Sequence, residues 1–204
     1  MFEIIRAGGW VMWPILLCSM LAMAIIIERF WALRTGVIMP AHLIPEIWKL
    51  HREDALDEAR IRQIGLDSPL GAILAAGLGN HRFGREIMKE SLEQAGRSVI
   101  HDLGRYLDTL GTIASVSPYL GLLGSVLGMI KVFSLFSVEN GITNPAHLAG
   151  GISEILVATA SGLALAIPSL MFYRYFRARI DSLSIRMEVE CLRLVELIHG
   201  ERAE

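Results

Sequence analysis

Residues 109–130 read TLGTIASVSPYLGLLGSVLGMI, and none of these 22 residues carries a charge. Two further stretches share this property: residues 7–27, with 21 residues, and residues 155–173, with 19. A helix needs about 20 apolar residues to cross the hydrocarbon core of a bilayer. Helices satisfy their own backbone hydrogen bonds there, where water is absent. The sequence therefore predicts an all-α integral membrane protein with three transmembrane helices.

The basic residues indicate how these helices are oriented. Of the 19 Lys and Arg residues, 17 lie in residues 28–108 or in the tail from residue 174. Lys and Arg accumulate in loops on the cytoplasmic side of a membrane, so these two segments are predicted to be cytoplasmic. The N-terminus and a short loop, 131–153, are predicted to face outward. At 204 residues, the chain is expected to form a single membrane unit with spans at 7–27, 109–130 and 154–173.

Two amphipathic patterns predict that the second and third spans continue into the cytoplasm as long helices. Before the second span, apolar or small residues recur three or four positions apart, at Met88, Leu92, Ala95, Val99, Leu103, Tyr106 and Leu110. After the third span, the same spacing links Ile180, Leu183, Met187, Cys191, Leu194 and Ile198. This spacing forms one face of a helix. Mixed Glu and Arg residues on the other faces favour packing against protein over a helix lying on the membrane surface.

The region between these features gives weaker signals. A helix with a charged face is predicted across residues 44–62. A second helix is predicted to open at Ser68 and Pro69 and to continue across residues 70–78.

Small residues follow one side of the second and third spans. Such strips let two membrane helices approach closely. The candidate helix-packing residues are Ser117, Gly121, Gly124 and Gly128 in the second span, and Gly162 and Ala166 in the third.

Three polar residues are candidates for a proton pathway or pore. Ser125 and Thr159 lie at similar depth, so their hydroxyl groups would share a layer if the two helices are neighbours. Alternatively, each hydroxyl bonds a carbonyl of its own helix one turn back. Glu154 is a functional candidate because ionisable residues at membrane depth are uncommon, or it is a solvated carboxylate at the start of a helix. Lys131 is expected to extend towards the lipid headgroups.

Several classes of function are excluded by what the spans lack. No Asp, Glu, His, Lys or Arg lies inside the three charge-free stretches, so a proton-conducting complex would need a carboxylate from a partner. The sequence contains no phosphate-binding loop of the Walker type, and its histidines show no metal-ligand spacing. The net charge of −2 gives no reason to expect a nucleic-acid partner. We therefore predict no catalytic site, no metal site and no cofactor.

Two motifs resemble those of the ExbB/TolQ/MotA proton-channel family. Residues 117–130 read SPYLGLLGSVLGMI, with Phe133 following, and are similar to the family's second-span signature. Residues 151–163 read GISEILVATASGL and are similar to its third-span signature. The resemblance covers nearly the whole chain. The short outer loop and the three spans argue against the MotA branch. The Trp13-Pro14 pair and the Glu28-Arg29-Phe30 end are more similar to short ExbB-type chains than to TolQ.

This resemblance implies a function and a set of partners. It implies a homopentamer in the bacterial inner membrane around two transmembrane helices of an ExbD- or TolR-like protein, whose aspartate carries protons. The complex would drive a TonB- or TolA-like protein and so power uptake through the outer membrane.

The resemblance also assigns residues. Thr159 matches the family's pore threonine, Glu154 its glutamate five residues earlier, and Ser125 a position that is usually threonine. Tyr119 stands where a small aliphatic residue is common. A TolQ-like role in envelope maintenance and a structural scaffold that conducts no protons are the alternatives.

Overall fold

A computed structural model describes residues 9–53, 56–138 and 145–200, and these residues form helices and short connections without strands. The helices are α1 (Met12–Ala32), α2 (Thr35–Ile38), α3 (Leu43–Arg52), α4 (Glu58–Asp67), α5 (Pro69–Gly79), α6 (Arg85–Leu103), α7 (Leu107–Val138) and α8 (Pro145–His199). A short 3₁₀ turn, His81–Phe83, precedes α6. Residues 7 and 8 of the predicted first span, 139–144 of the predicted outer loop and 201–204 of the tail lie outside the described residues.

Three of the helical segments are long and apolar enough to cross a membrane. They contain α1, α7 and the first part of α8, which confirms the prediction of three spans. Both α7 and α8 extend beyond the charge-free stretches into the predicted outer loop, since α7 continues to Val138 and α8 begins at Pro145.

The chain divides into two compact units. The first comprises Met1–Ile27 and Tyr106–Tyr175, and the second comprises Glu28–Arg105 and Phe176–Glu204. The assignment of the first unit to the membrane and the second to the cytoplasm remains a prediction.

The second unit has its own apolar core. Phe30 and Phe176 pack edge to face with their ring centroids 5.2 Å apart, an arrangement that aromatic rings favour. A guanidinium nitrogen of Arg179 donates a hydrogen bond to the Thr35 hydroxyl at 2.6 Å. Members of both amphipathic patterns are buried here, which confirms the packing interpretation for Met88, Leu92, Leu103, Ile180, Leu183, Met187 and Leu194.

The helix predicted at Ser68-Pro69 is confirmed as α5. The Ser68 hydroxyl accepts a hydrogen bond from the Gly71 amide at 3.0 Å, and Pro69 occupies the first helical position, where its missing N–H is not needed. The single helix predicted across residues 44–62 is wrong. The chain forms α3 and α4 there, and the Asp57 side chain caps α4 by accepting from the Arg60 amide.

The predicted continuity between residues 88 and 110 is also wrong, because α6 ends at Leu103 and α7 begins at Leu107. Tyr106 adopts a φ of 64°, which is uncommon for residues other than glycine. Within the second unit, the buried Arg29 guanidinium donates to the Leu103 carbonyl at 2.9 Å. This bond satisfies a carbonyl that the end of α6 leaves without a helical partner.

Candidate functional site

The candidate site lies in the first unit, where α7 and α8 run antiparallel and touch along their small residues. A Cβ atom built on Gly162 would lie 2.6 Å from the Ser117 carbonyl oxygen and 3.0 Å from the Cα atom of Gly121. A Cβ atom on Gly121 would lie 2.9 Å from the Ala158 carbonyl oxygen. Backbones can approach this closely only where a side chain is absent. We call this contact the seam; it comprises Gly121, Gly124 and Gly128 of α7 with Ile155, Ala158 and Gly162 of α8.

All six residues proposed for helix packing are buried. A Cβ atom on Gly124 would lie 2.6 Å from that of Ala158, and one on Gly128 would lie 2.8 Å from Cγ1 of Ile155. Ser117 is fully buried, and its hydroxyl donates to the Ile113 carbonyl at 2.6 Å. Ala166 is also buried on α8.

The beginning of α1 packs on the same pair of helices. Val11, Met12 and Ile15 form a buried apolar cluster, against which Leu120 of α7 and Leu165 of α8 pack. The seam is therefore part of a three-helix contact.

A pair of hydroxyl groups bridges the seam. Ser125 Oγ and Thr159 Oγ1 are hydrogen-bonded to each other. The Ile155 carbonyl oxygen lies 3.1 Å from Ser125 Oγ and 3.2 Å from Thr159 Oγ1, and the Gly121 carbonyl lies 3.2 Å from Ser125 Oγ. Both interpretations made from the sequence therefore apply, because the hydroxyls share a layer and also reach carbonyls of their own helices. Both side chains are half-buried.

The number of protons limits what this pair can do. Each hydroxyl group has one proton to donate and two lone pairs that accept. The acceptors within reach are the Ile155 and Gly121 carbonyl oxygens and the other hydroxyl group. When one hydroxyl donates to the other and the second donates to Ile155, lone pairs of the first remain available. The pair can therefore accept a hydrogen bond from a protonated group or a water molecule, and it can reverse the direction of its own bond by rotating the hydroxyls.

Glu154 lies at one end of the seam, paired with Lys131. Their side chains form an ion pair of 2.9 Å, in which the Glu154 side chain is 19% exposed and that of Lys131 is 64% exposed. The interpretation of Glu154 as a carboxylate at the start of a helix is wrong, because α8 begins nine residues earlier at Pro145. The expectation that Lys131 extends towards the lipid headgroups stays a prediction, and the ion pair adds a protein partner that it did not include.

Sequence reasoning missed both the Ile155 carbonyl and the pairing of Lys131 with Glu154. A usable signal was present. Lys131 follows Ser125 by six residues and Glu154 precedes Thr159 by five, so an antiparallel pairing of Ser125 with Thr159 also brings the two charges together. Along the helices, the ion pair lies about 7 to 9 Å beyond the hydroxyl pair.

The face of α7 away from the seam is apolar and exposed. Tyr119 is 70% exposed, and Leu122, Val126 and Phe133 are exposed at similar helical spacing. Monomeric soluble proteins rarely expose so large an apolar surface, which fits contact with lipid or with other membrane helices.

Comparison with known proteins identifies a family and several relatives of this chain. Residues 66–189 match the model of the MotA/TolQ/ExbB proton channel family. The chain is 35% identical over 174 residues to the biopolymer transport protein ExbB-like 3 of Synechocystis, an alignment that covers 84% of this chain and 82% of that protein. It is 39% identical over 100 residues to the biopolymer transport protein ExbB of Aquifex aeolicus, covering 49% and 62%. It is 40% identical over 91 residues to ExbB of Salmonella typhimurium, covering 45% and 37%.

Proposed function

This chain is an integral membrane protein that belongs to the MotA/TolQ/ExbB proton channel family, and we propose that it is the multi-span subunit of an ExbB-type energy transducer. The transducer lies in the bacterial inner membrane and is driven by the proton-motive force. The chain acts as a channel and motor subunit and not as an enzyme. The ExbB names of its relatives favour this role over a TolQ-like role in envelope maintenance.

The observation that carries the proposal is the hydroxyl pair inside the seam. The hydroxyl groups of Ser125 and Thr159 lie at one depth between apolar helices, and neither span contains an acid at that depth. The chain thus provides hydrogen-bonding groups for a proton but no group to carry it. A partner with an intramembrane carboxyl group supplies that function.

We propose the following assembly. Five copies of the chain surround two transmembrane helices of an ExbD-like protein, whose aspartate faces the hydroxyl pair. The exposed apolar faces of the spans contact lipid and neighbouring copies. A TonB-like protein transmits the resulting motion to the outer membrane.

The proposed proton pathway runs from the periplasm towards the cytoplasm. Glu154 shapes the electric field at the outer entry, five residues before Thr159. The partner's acid takes up a proton, and in its protonated form it donates a hydrogen bond to Thr159 or Ser125. The hydroxyls then accept and release hydrogen bonds as the acid gives up its proton to the cytoplasmic side.

Proton flux through reconstituted vesicles tests this proposal. Thr159→Val removes the hydroxyl and retains the shape of the side chain, so we expect it to abolish proton flux while the complex still assembles. Thr112→Val is the matched control, because the Thr112 hydroxyl is exposed and donates only to the Asp108 carbonyl of its own helix at 2.8 Å. Undiminished flux in Thr159→Val would contradict the pore role. A wild-type complex that assembles and conducts no protons would favour a structural scaffold.

A further inference from the structure

The ion pair between Lys131 and Glu154 joins α7 to α8 at the end of the seam. The two residues are 23 positions apart in sequence, and the contact of 2.9 Å depends on the register of the two helices. It therefore differs from the ion pair between Lys89 and Glu86, which spans one turn of α6 at 3.4 Å.

The two partners are unequally exposed. The Glu154 side chain is 19% exposed, and the ammonium group of the more exposed Lys131 reaches over to it. A carboxylate withdrawn from water loses hydration, and this loss must be offset by a counter-charge. The geometry makes Lys131 the source of that charge.

The segment that leads into α1 also packs against the Glu154 carboxylate. A Cβ atom built on Gly9 would lie 2.3 Å from Oε1 of Glu154 and 3.4 Å from its Cδ atom. Gly9 also has a φ of 70°, a conformation that glycine adopts without strain. The carboxyl group is thus packed against backbone on one side, while its other oxygen, Oε2, binds Lys131.

We infer that Lys131 is a positioning residue for the proton pathway: it holds the Glu154 carboxyl group in a fixed position at the end of the seam. This role rests on the proposed function, since the pathway itself is part of that proposal. Without Lys131, the carboxyl group would no longer be held across the seam.

Carbodiimide labelling tests the positioning without requiring a partner or proton flux. N,N′-dicyclohexylcarbodiimide modifies carboxyl groups in apolar surroundings that are not held in an ion pair, and mass spectrometry of peptides locates the adduct. We expect little adduct on Glu154 in the wild-type chain in detergent and at least a fivefold increase in Lys131→Met. Lys131→Arg should restore the low value because it restores the positive charge. Lys89→Met is the control and should leave the labelling of Glu154 unchanged.

Proton flux in vesicles containing the ExbD-like partner tests the consequence. We expect Lys131→Met to lower flux at least tenfold, and the exchanged pair Lys131→Glu with Glu154→Lys to recover part of the flux that either single substitution loses. Equal labelling of Glu154 in the wild type and Lys131→Met would overturn the inference, as would wild-type flux in Lys131→Met. If the wild-type complex conducts no protons, the proposed function fails, and the labelling result still decides whether Lys131 positions Glu154.

Discussion

At the scale of single residues, the hydroxyl pair depends on a shared acceptor. Ser125 and Thr159 both reach the Ile155 carbonyl, which lies inside α8 and also accepts the helical hydrogen bond from the amide of residue 159. Either hydroxyl can therefore rotate away and change partners without leaving this carbonyl unpaired. Two side chains and one backbone oxygen thus provide the hydrogen-bond partners that the proposed relay needs.

Ser125→Ala should weaken proton flux and leave the seam intact. The Thr159 hydroxyl keeps its bond to Ile155 in this variant, but the chain of two hydroxyls is interrupted. A net hydrogen bond is worth about 0.5–1.5 kcal/mol, so we expect roughly a two- to tenfold loss of flux in vesicles. Ser115→Ala is the matched control, because the exposed Ser115 hydroxyl donates only within α7. Equal fluxes in the two variants would argue against a role for Ser125.

Cys191 should be an unreactive thiol. Burial, with smaller contributions from Glu188 and Glu190, raises its pKa from 9.0 to about 12. At pH 8 the thiolate fraction is then about a thousandfold below that of an ordinary thiol, and only the thiolate reacts.

Iodoacetamide labelling of a Cys18→Ser chain measures this directly. We expect slow labelling in mild detergent, fast labelling after unfolding, and a folded-state rate that rises with pH up to about 12. Since the unfolded thiol ionises near its ordinary pKa, ionisation also favours unfolding as the pH rises from about 9 to 12. Rapid labelling of the folded chain at pH 8 would show that the surroundings of the thiol do not raise its pKa.

At the scale of helices, the seam depends on the absence of side chains. Gly162→Ala would place a methyl group 2.6 Å from the Ser117 carbonyl oxygen, and backbone atoms cannot move aside as a flexible side chain can. Forcing extra volume into a packed contact costs about 1–3 kcal/mol.

We therefore expect Gly162→Ala to lower the free energy of unfolding of the detergent-solubilised chain by about this amount. Gly150→Ala is the control on the same helix, since nothing lies within 4 Å of its Cβ position. Alanine is the better helix former by about 1 kcal/mol, so the control should be as stable as the wild type or more stable. Equal stability of the two variants in thermal unfolding would contradict the close approach of α7 and α8.

The helices also show where sequence reasoning succeeds and where it stops. The glycine strip was predictable, because small residues at helical spacing commonly form the contact between two membrane helices. The end of α6 was not, because the apolar spacing continues through Tyr106 while the backbone turns there. Gly104 was the available signal: it follows the last residue of α6, and its amide bonds the Ile100 and His101 carbonyls.

The candidate site was also predictable only in part. Ser125 and Thr159 could be found from their depth in two apolar stretches. The pairing of Lys131 with Glu154 depends on the register between two helices, which the periodicity of either helix alone does not contain. Motif resemblance identified Glu154 without indicating its partner.

At the scale of the whole molecule, most basic residues and the seam lie in different parts of the chain. The segments 28–108 and 174–204 hold 17 of the 19 basic residues, which predicts that they lie on the cytoplasmic side. The first unit holds the hydroxyl pair, the ion pair at the end of the seam and exposed apolar faces. In the proposed function, a chain built in this way relays protons only when another protein brings an acid to the depth of Ser125 and Thr159.

Native mass spectrometry tests this central claim most directly. The chain would be expressed with an ExbD-like single-span protein that carries an intramembrane aspartate, purified in mild detergent and weighed as an intact complex. We expect a ring of five copies that retains two copies of the smaller protein. An intact ring that never retains the smaller protein would contradict the account, because the hydroxyl pair would then have no proton-carrying acid to serve.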